Sequence, residues 1–516
     1  MRPIHTVLLV NAGTDEQVSS IANDGTFPAL GVVSLATMLR ELVPEIDVTA
    51  VDGQVTPLAD VLRLVDELGP DLVGVSALST SYRTSIALLE HAKEAGAVTV
   101  LGNDQAAAKA EQILRHQPAV DFVCAADVGE FALAALVRAL RSGGDLAGVP
   151  RLWWREDGRI RRTGGAEIPE TLQLGRGGAV QRRVLDAISV PDRSLMPQAN
   201  WDAYLANYLD RYGRLHGEGE VTGVTTINRA RGCARVRNPC HFCGIADLSL
   251  RFSSAEMFWR DVRQAQEQVG ATIFYEAFDS MSSAPRWLEE LADARPDDIG
   301  DPRLFVYTQA SETTPRLVEL YRRIGVYRVN MGLESGDTRM LKLLKGRRDS
   351  LESNQRAATL LQEAGMPIYG SLVLGGPGET VESLERTIDF ARWLVDHDMM
   401  AALEAQPLYP EFTALTGTWL MDPAEAHRAA ERMGFEVRDP DLLAQMPQKY
   451  GPVDLVDFDE ASRDWNTIFS VATWDEVVAA TEEIRAYAHA HGTAYGSAFV
   501  STHEVGAVVD DARPAD

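Results

Sequence analysis

Cys233, Cys240 and Cys243 are spaced Cys-x6-Cys-x2-Cys and make up three of the four cysteines in the chain. Thiolates this close in sequence point to metal ligation, and two kinds of centre suit them. Tetrahedral zinc needs a fourth ligand, for which His241 stands beside Cys240, but zinc sites usually pair two knuckles and no second Cys-x2-Cys exists. An iron–sulfur cluster held by three cysteines leaves one iron without a protein ligand, open to a substrate or cofactor. The cysteines are crowded among Arg231, Arg235, Arg237 and Asn238, which does not suit small buried hydrophobes.

Carboxylates and glycines follow in order. Glu276 precedes Phe278-Asp279-Ser280, Glu334 and Ser335 lie in Met331-Gly-Leu-Glu-Ser-Gly336, and Glu379 closes Gly375-Gly-Pro-Gly-Glu379. An ionised carboxylate is a stronger acceptor for an ammonium or ribose hydroxyl than a neutral group. A lone Glu near a helix start is as readily a response to the helix dipole.

With the cysteine run, these segments resemble the radical S-adenosylmethionine (SAM) enzymes, whose usual motif is Cys-x3-Cys-x2-Cys on the loop after the first barrel strand. Phe242 matches the aromatic before the third cysteine, Gly232-Cys233 keeps an Arg-Gly-Cys opening, and Leu341-Lys-Leu-Leu-Lys-Gly346 is also family-like. The spacing between the first two cysteines is three residues longer, and Gln309 stands where many relatives carry Arg. The resemblance implies a 4Fe-4S cluster on Cys233, Cys240 and Cys243. It implies SAM contacts at Phe242, Glu276, Asp279, Glu334, Ser335, Gly375 and Glu379, and an electron donor such as a flavodoxin or ferredoxin.

Residues ahead of the cysteines resemble the cobalamin-binding domain that some radical SAM enzymes carry. Phe27–Arg40 is similar to its opening helix, Pro70–Ser79 to its Ser-x-Leu strand end, and Asp127-Val-Gly-Glu130 to its Gly-Glu-Gly-Glu. The resemblance implies cobalamin contacts at Ser76, Leu78, Gly102, Gly129 and Glu130. Asn103-Asp104 replaces an expected glycine pair member, and Asn11–Glu16 contains no His to sit under cobalt, which leaves Tyr82 or Arg83 as polar candidates for that face. The activity implied is cobalamin-dependent methyl transfer to a carbon of a small molecule or peptide, of the kind found in specialised metabolism. The alternatives are rearrangement, cyclisation or dehydrogenation on the same cofactors, or a zinc-stabilised binding protein. No side chain is identified as catalytic, and Tyr409, in Pro407–Pro410, is expected to touch substrate.

These residues need a scaffold. Apolar β-branched runs at Val7–Val10, Val48–Val51, Leu72–Val75, Val98–Leu101 and Phe122–Cys124 alternate with amphipathic stretches, the pattern of a doubly wound, Rossmann-like α/β domain over residues 1–150. Residues 151–200, including Gly175–Gly178, read as linker. A second series at Val224–Ile227, Thr272–Tyr275, Leu304–Tyr307, Arg328–Met331, Ile368–Val373 and Ala401–Leu403 predicts a partial (β/α)6 barrel over 201–415, with its working loops at the strands' carboxyl ends. Residues 416–516 read as mostly helical, Ser253–Glu256 as a capping box, and Cys124, Trp153, Trp154, Trp419 and Trp465 as packing. The balance of 49 basic against 75 acidic residues, net −26, disfavours nucleic acid. No membrane span or signal peptide is read, so a cytoplasmic location is expected.

Overall fold

The structure, a computed structural model, describes residues 4–14, 25–126, 128–165, 181–233, 235, 239–244 and 250–495. Asp127, Gly175–Gly178, Arg237, Asn238 and residues 15–16 lie outside them.

The N-terminal sheet is parallel where the apolar runs predict it. Strands β1 (Thr6–Asn11), β2 (Asp47–Asp52), β3 (Leu72–Ser76), β4 (Val98–Gly102) and β5 (Phe122–Cys124) lie in the order β2-β1-β3-β4-β5. Helices α1 (Gly31–Leu42), α2 (Leu58–Leu68), α3 (Tyr82–Glu94), α4 (Asp104–His116) and α5 (Gly129–Ser142) connect them. Alternate strand residues feed two cores: Val7, Leu9 and Val48 pack with α1 and α5 on one face, while Leu8, Val10 and Val73 pack with α2, α3 and α4 on the other. Burial on both faces is why these strands are apolar without interruption.

Part of the stretch read as linker belongs to this sheet. Strands β6 (Leu152–Glu156) and β7 (Arg159–Arg162) continue it antiparallel, with Cys124 paired to Leu152 and Phe122 to Trp154. Arg155 anchors the hairpin by donating to the carbonyls of Leu114, Pro118 and Val120 at 2.5, 3.1 and 2.5 Å. Farther on, Arg193 is fully buried beside Asp261 at 2.9 Å and ties the connection to the second domain.

Helix α6 (Gln198–Tyr212) leads into the second sheet, in which β8 (Val224–Ile227) is followed by the two-residue pair β9 (Ala230–Arg231) and β10 (Arg251–Phe252). The parallel order is β8, β11 (Ile273–Glu276), β12 (Arg303–Thr308), β13 (Val326–Glu334), β14 (Ile368–Leu374), β15 (Met400–Pro407) and β16 (Ala494–Tyr495). Six βα units thus form the partial barrel, and the short β16 adds a seventh strand from the C-terminal region. Helices α7 (Ala255–Val269), α8 (Pro285–Asp293), α9 (Pro315–Ile324), α10 (Thr338–Lys345), α11 (Leu351–Glu363) and α12 (Val381–Asp396) cover its outside. Ser254 caps α7, accepting from Met257 N at 3.3 Å, one residue later than the capping-box reading.

Tyr204, Tyr208 and Tyr212 recur every fourth residue on α6, so they share one helix face. All are buried in a cluster with Phe27, Phe305 and Tyr369 that closes the barrel's floor. The C-terminal helices α13 (Leu415–Met421), α14 (Pro423–Met433), α15 (Pro440–Tyr450) and α16 (Phe458–Phe469) pack around Trp419 and Trp465, and α17 (Trp474–Ala490) returns against the barrel. Among the described residues, no helix is long and apolar enough to cross a membrane.

Candidate functional site

The cysteine loop leaves β8 under tight control. Arg229 donates from Nε to Asp261 at 2.8 Å and from its other nitrogens to the carbonyls of Ile188 and Ser189 at 2.9 and 3.1 Å. Gly232, at φ +87°, then turns the chain toward Cys233, a conformation that costs glycine little. Cys243 N donates to Cys240 O at 3.2 Å, His241 N to Leu344 O at 2.9 Å, and Thr416 N to His241 O at 3.0 Å. The loop therefore rests on the end of α10 and the start of α13. Arg235, between the first two cysteines, reaches Gln309 at 2.5 Å, Asp349 at 2.7 Å and the Lys345 carbonyl.

Burial raises the Cys240 thiol above its ordinary value, opposed by the charges of Lys345 and Arg235. Burial likewise raises Cys233, with Arg235 opposing. Two cations thus face partly exposed thiols, an arrangement that fits an anionic sulfur-ligated cluster. His241, the fourth ligand the zinc alternative needs, packs its ring 5.6 Å from Trp419. Among the described residues, no three His, Cys, Asp or Glu side chains converge on a single ion; a polynuclear cluster distributes its cysteines over separate irons.

Glu334 joins this group. It ends β13 at φ +58°, is buried, and its Oε1 lies 3.3 Å from Lys345 Nζ, which also donates to Gly332 O at 2.6 Å. Burial pulls Lys345 down, but Glu334, Cys240 and Asp349 hold it above its usual value. Asp279 is exposed after β11, close enough for its charge to raise Cys233. Phe242 packs against the C-terminal aromatic cluster.

Four residues expected at SAM are engaged in hydrogen bonds within the chain. Glu379 accepts from Gly375 N and Gly376 N at 3.1 and 3.2 Å and from Ser383 Oγ at 2.6 Å, so Gly375 and Glu379 stabilise their own turn. Ser335 Oγ is occupied by Thr387 at 2.9 Å and Asp337 N at 3.0 Å. Glu276 is fully buried and accepts from Arg229 N at 3.2 Å, which props the start of the cysteine loop. Motif order records connectivity along the chain, whereas these directions depend on local turns.

In the N-terminal domain, Ser76 and Gly102 stand at the carboxyl ends of β3 and β4, where ligands of such sheets bind. A Cβ built at Gly102 has its nearest neighbour at 3.7 Å, so the position is open, and Ser76 Oγ accepts from Asn103 Nδ2 at 3.0 Å. Asn103 adopts φ +78°, ψ −171°, a region used almost only by glycine. Strand ends of this kind can take a nucleotide tail, and Leu78, two residues past β3, lines the gap between this domain and the barrel. Tyr82 is buried away from that gap and donates to Asp454 at 2.8 Å, because a segment of the C-terminal region packs over α3; Arg83 is exposed. Gly129 starts α5 against Leu35. Glu130 is buried, accepting from Ser34 at 2.8 Å and from Arg231 at 3.1 Å, so it links this domain to the cysteine loop.

A cavity of about 640 Å³ separates the two sheets. Phe27–Gly31 and Leu78–Thr80 line one side, and inward-pointing barrel residues line the other: Tyr275, Tyr307, Arg328, Asn330, Ser371 and Glu404 among them. Its size suits a small-molecule site. Arg328 is buried there, its guanidinium 4.0 Å from the Tyr212 ring centre and 4.1 Å from that of Phe305. A second cavity of about 310 Å³, sharing Leu78, Ser79 and Gln406 with the first, is lined by Phe242 and Tyr409. Sequence reasoning missed the barrel lining; its signal was aromatic and polar residues at alternate positions of apolar strands.

Comparison with known proteins agrees with this geometry. Residues 227–391 match the radical SAM superfamily and residues 21–137 the B12 binding domain. An uncharacterised methyltransferase, PH0819 from Pyrococcus horikoshii, is 26% identical over 83% of this chain and 85% of its own. The anaerobic magnesium-protoporphyrin IX monomethyl ester cyclase of Rubrivivax gelatinosus is 25% identical over 71% of this chain and 62% of its own. In fold, the chain is similar to the radical SAM methyltransferase TsrM from Kitasatospora setae, solved with cobalamin and a [4Fe-4S] cluster (TM-score 0.62, 17% identity, 95% of this chain and 100% of that one). The chain thus carries a B12-binding domain ahead of a radical SAM domain.

Proposed function

We propose that the protein is a cobalamin-dependent radical SAM methyltransferase acting on a carbon of a small molecule or peptide. The observation that carries this reading is a pair of adjoining cavities: the segments that follow β1 and β3 of the B12-binding domain and the inner wall of the barrel line the larger, and Leu78 and Ser79 also line the smaller, beside Phe242. When bound, the cluster with SAM supplies one-electron chemistry and cobalamin a transferable methyl group. The chain's own part is positional. Arg229 and Glu276 fix the root of the cysteine loop, Arg235 and Lys345 balance the thiols' charge, and the α6 tyrosines close the barrel floor against water.

Anaerobic incubation of the reconstituted protein with methyl-labelled SAM and a panel of small metabolites is expected to give labelled product together with 5′-deoxyadenosine. The relationship to a cyclase favours a second reading, rearrangement or cyclisation without methyl transfer. A converted substrate that carries no label would select it over the first.

A further inference from the structure

We infer that the turn between α10 and α11 is the docking surface for an acidic one-electron carrier protein that reduces the cluster, an inference that rests on the cluster assignment above. In a chain of net charge −26, the eight residues from Lys342 to Asp349 contain Lys342, Lys345, Arg347 and Arg348 against Asp349 alone, 4 − 1 = +3. Lys345 and Asp349 are buried, whereas Lys342, Arg347 and Arg348 are exposed.

The patch rides on the cysteine loop. Leu344 O accepts from His241 N at 2.9 Å, Lys345 O accepts from Arg235, and Asp349 accepts from Arg235 at 2.7 Å. The exposed guanidinium groups of Arg347 and Arg348 are therefore carried on backbone pinned at both ends to the segment between Cys233 and Cys240. Acidic charges reach this segment from Glu334 and Asp349 beside Lys345 and from Glu312 beside Arg235; Glu352 lies near Lys342, and Glu425 pairs with Arg432, whose charge reaches His241 from α14.

An acidic carrier approaching this chain is repelled at long range, so productive encounters need a local patch of the opposite sign beside the acceptor. The transfer itself is simple. One electron leaves the carrier, which is oxidised, and enters the cluster, which is reduced; no bond changes and no proton is required of this chain. Salt is a poor probe, since it screens the global repulsion and the local attraction together.

Charge reversal separates them. The Arg347→Glu/Arg348→Glu variant is compared with Arg159→Glu/Arg161→Glu, which makes the same charge change on the exposed strand β7. Cluster reduction by a reduced flavodoxin is expected to slow about tenfold or more in the first variant and less than about twofold in the second. Reduction by dithionite, and iron and sulfide content, should be unchanged in both. Equal slowing in the two variants, or none in the first, overturns the docking surface while leaving the cluster intact. A wild-type chain that takes up no iron and sulfide overturns the cluster assignment, and the inference with it.

Discussion

Glu379 holds the turn after β14 with both carboxylate oxygens, yet burial costs its anion more than three hydrogen bonds return, and its pKa is pushed up to about 7. The folded-state value lies above the ordinary one of 4.5, so folding favours the protonated form. Its contribution is fully present below about pH 4.5 and is lost as pH rises through about 7, a swing on the order of 3 kcal/mol. Glu379→Gln keeps an oxygen for the two glycine N–H groups and turns its amide toward Ser383 Oγ, which still donates to Thr380 O at 2.8 Å. Thermal unfolding from pH 5 to 8 should show the variant gaining on the wild type as pH rises. A constant gap between the two curves would refute this account. The placement of the cysteines after β8, of Glu334 at the end of β13 and of Ser76 at the end of β3 was legible because their types and order are unusual. The inward direction of Glu379 and Ser335 was not, because it depends on backbone N–H groups and hydroxyls that motif spacing does not record.

At the scale of elements, the parallel strands of the N-terminal sheet were readable because both faces are buried and most of their residues are apolar. The hairpin of β6 and β7 was overlooked, although Asp157 and Gly158 both take positive φ, +49° and +71°, as the Asp-Gly turn of a two-residue hairpin requires. Its Arg-rich second strand hid the signal. The C-terminal region was readable as helix but not by its docking, which uses backbone carbonyls. Lys109 donates to Tyr450 O at 2.9 Å and Gln105 to Asp454 O at 2.6 Å, while the Asp454 carboxylate receives Tyr82 and Gln117 at 2.8 and 2.6 Å. This strap holds α3 and α4, and with them Leu78, in front of the barrel. Asp454→Ala leaves two partly buried donors unmatched and should cost about 1.5–3 kcal/mol. Hydrogen exchange in α3 and α4 should quicken while β13 and α11 keep their protection, and Asp454→Asn should restore most of the loss. Unchanged exchange in α3 and α4 would mean that the strap adds no stability there.

The whole molecule is two sheets joined by polar contacts at several levels and by Phe27, whose ring packs against Tyr208, Tyr275 and Phe305. Tyr204 donates to Asp52 at 2.7 Å, Thr226 to Pro28 O at 2.6 Å, Arg231 meets Glu130, and the Asp454 strap lies above them. These polar contacts add to the buried aromatic cluster around Phe27, so the coupling between domains is a sum of separate terms set around the cavity. A ligand held at the carboxyl ends of β3 and β4 and reaching into the 640 Å³ cavity touches both walls, and its binding energy then stabilises both sheets. Cobalamin at one hundred times its dissociation constant should add about 2.7 kcal/mol. The expected signature is slower hydrogen exchange on both sides of the gap, in β3 and α3 and also in β12 and β13. In the Glu130→Ala/Asp454→Ala variant the protection should contract toward the N-terminal sheet, because the same ligand then reports through fewer contacts. Protection confined to the N-terminal sheet in the wild type would show that cobalamin binding leaves the barrel wall untouched, and the cavity would then belong to the barrel alone.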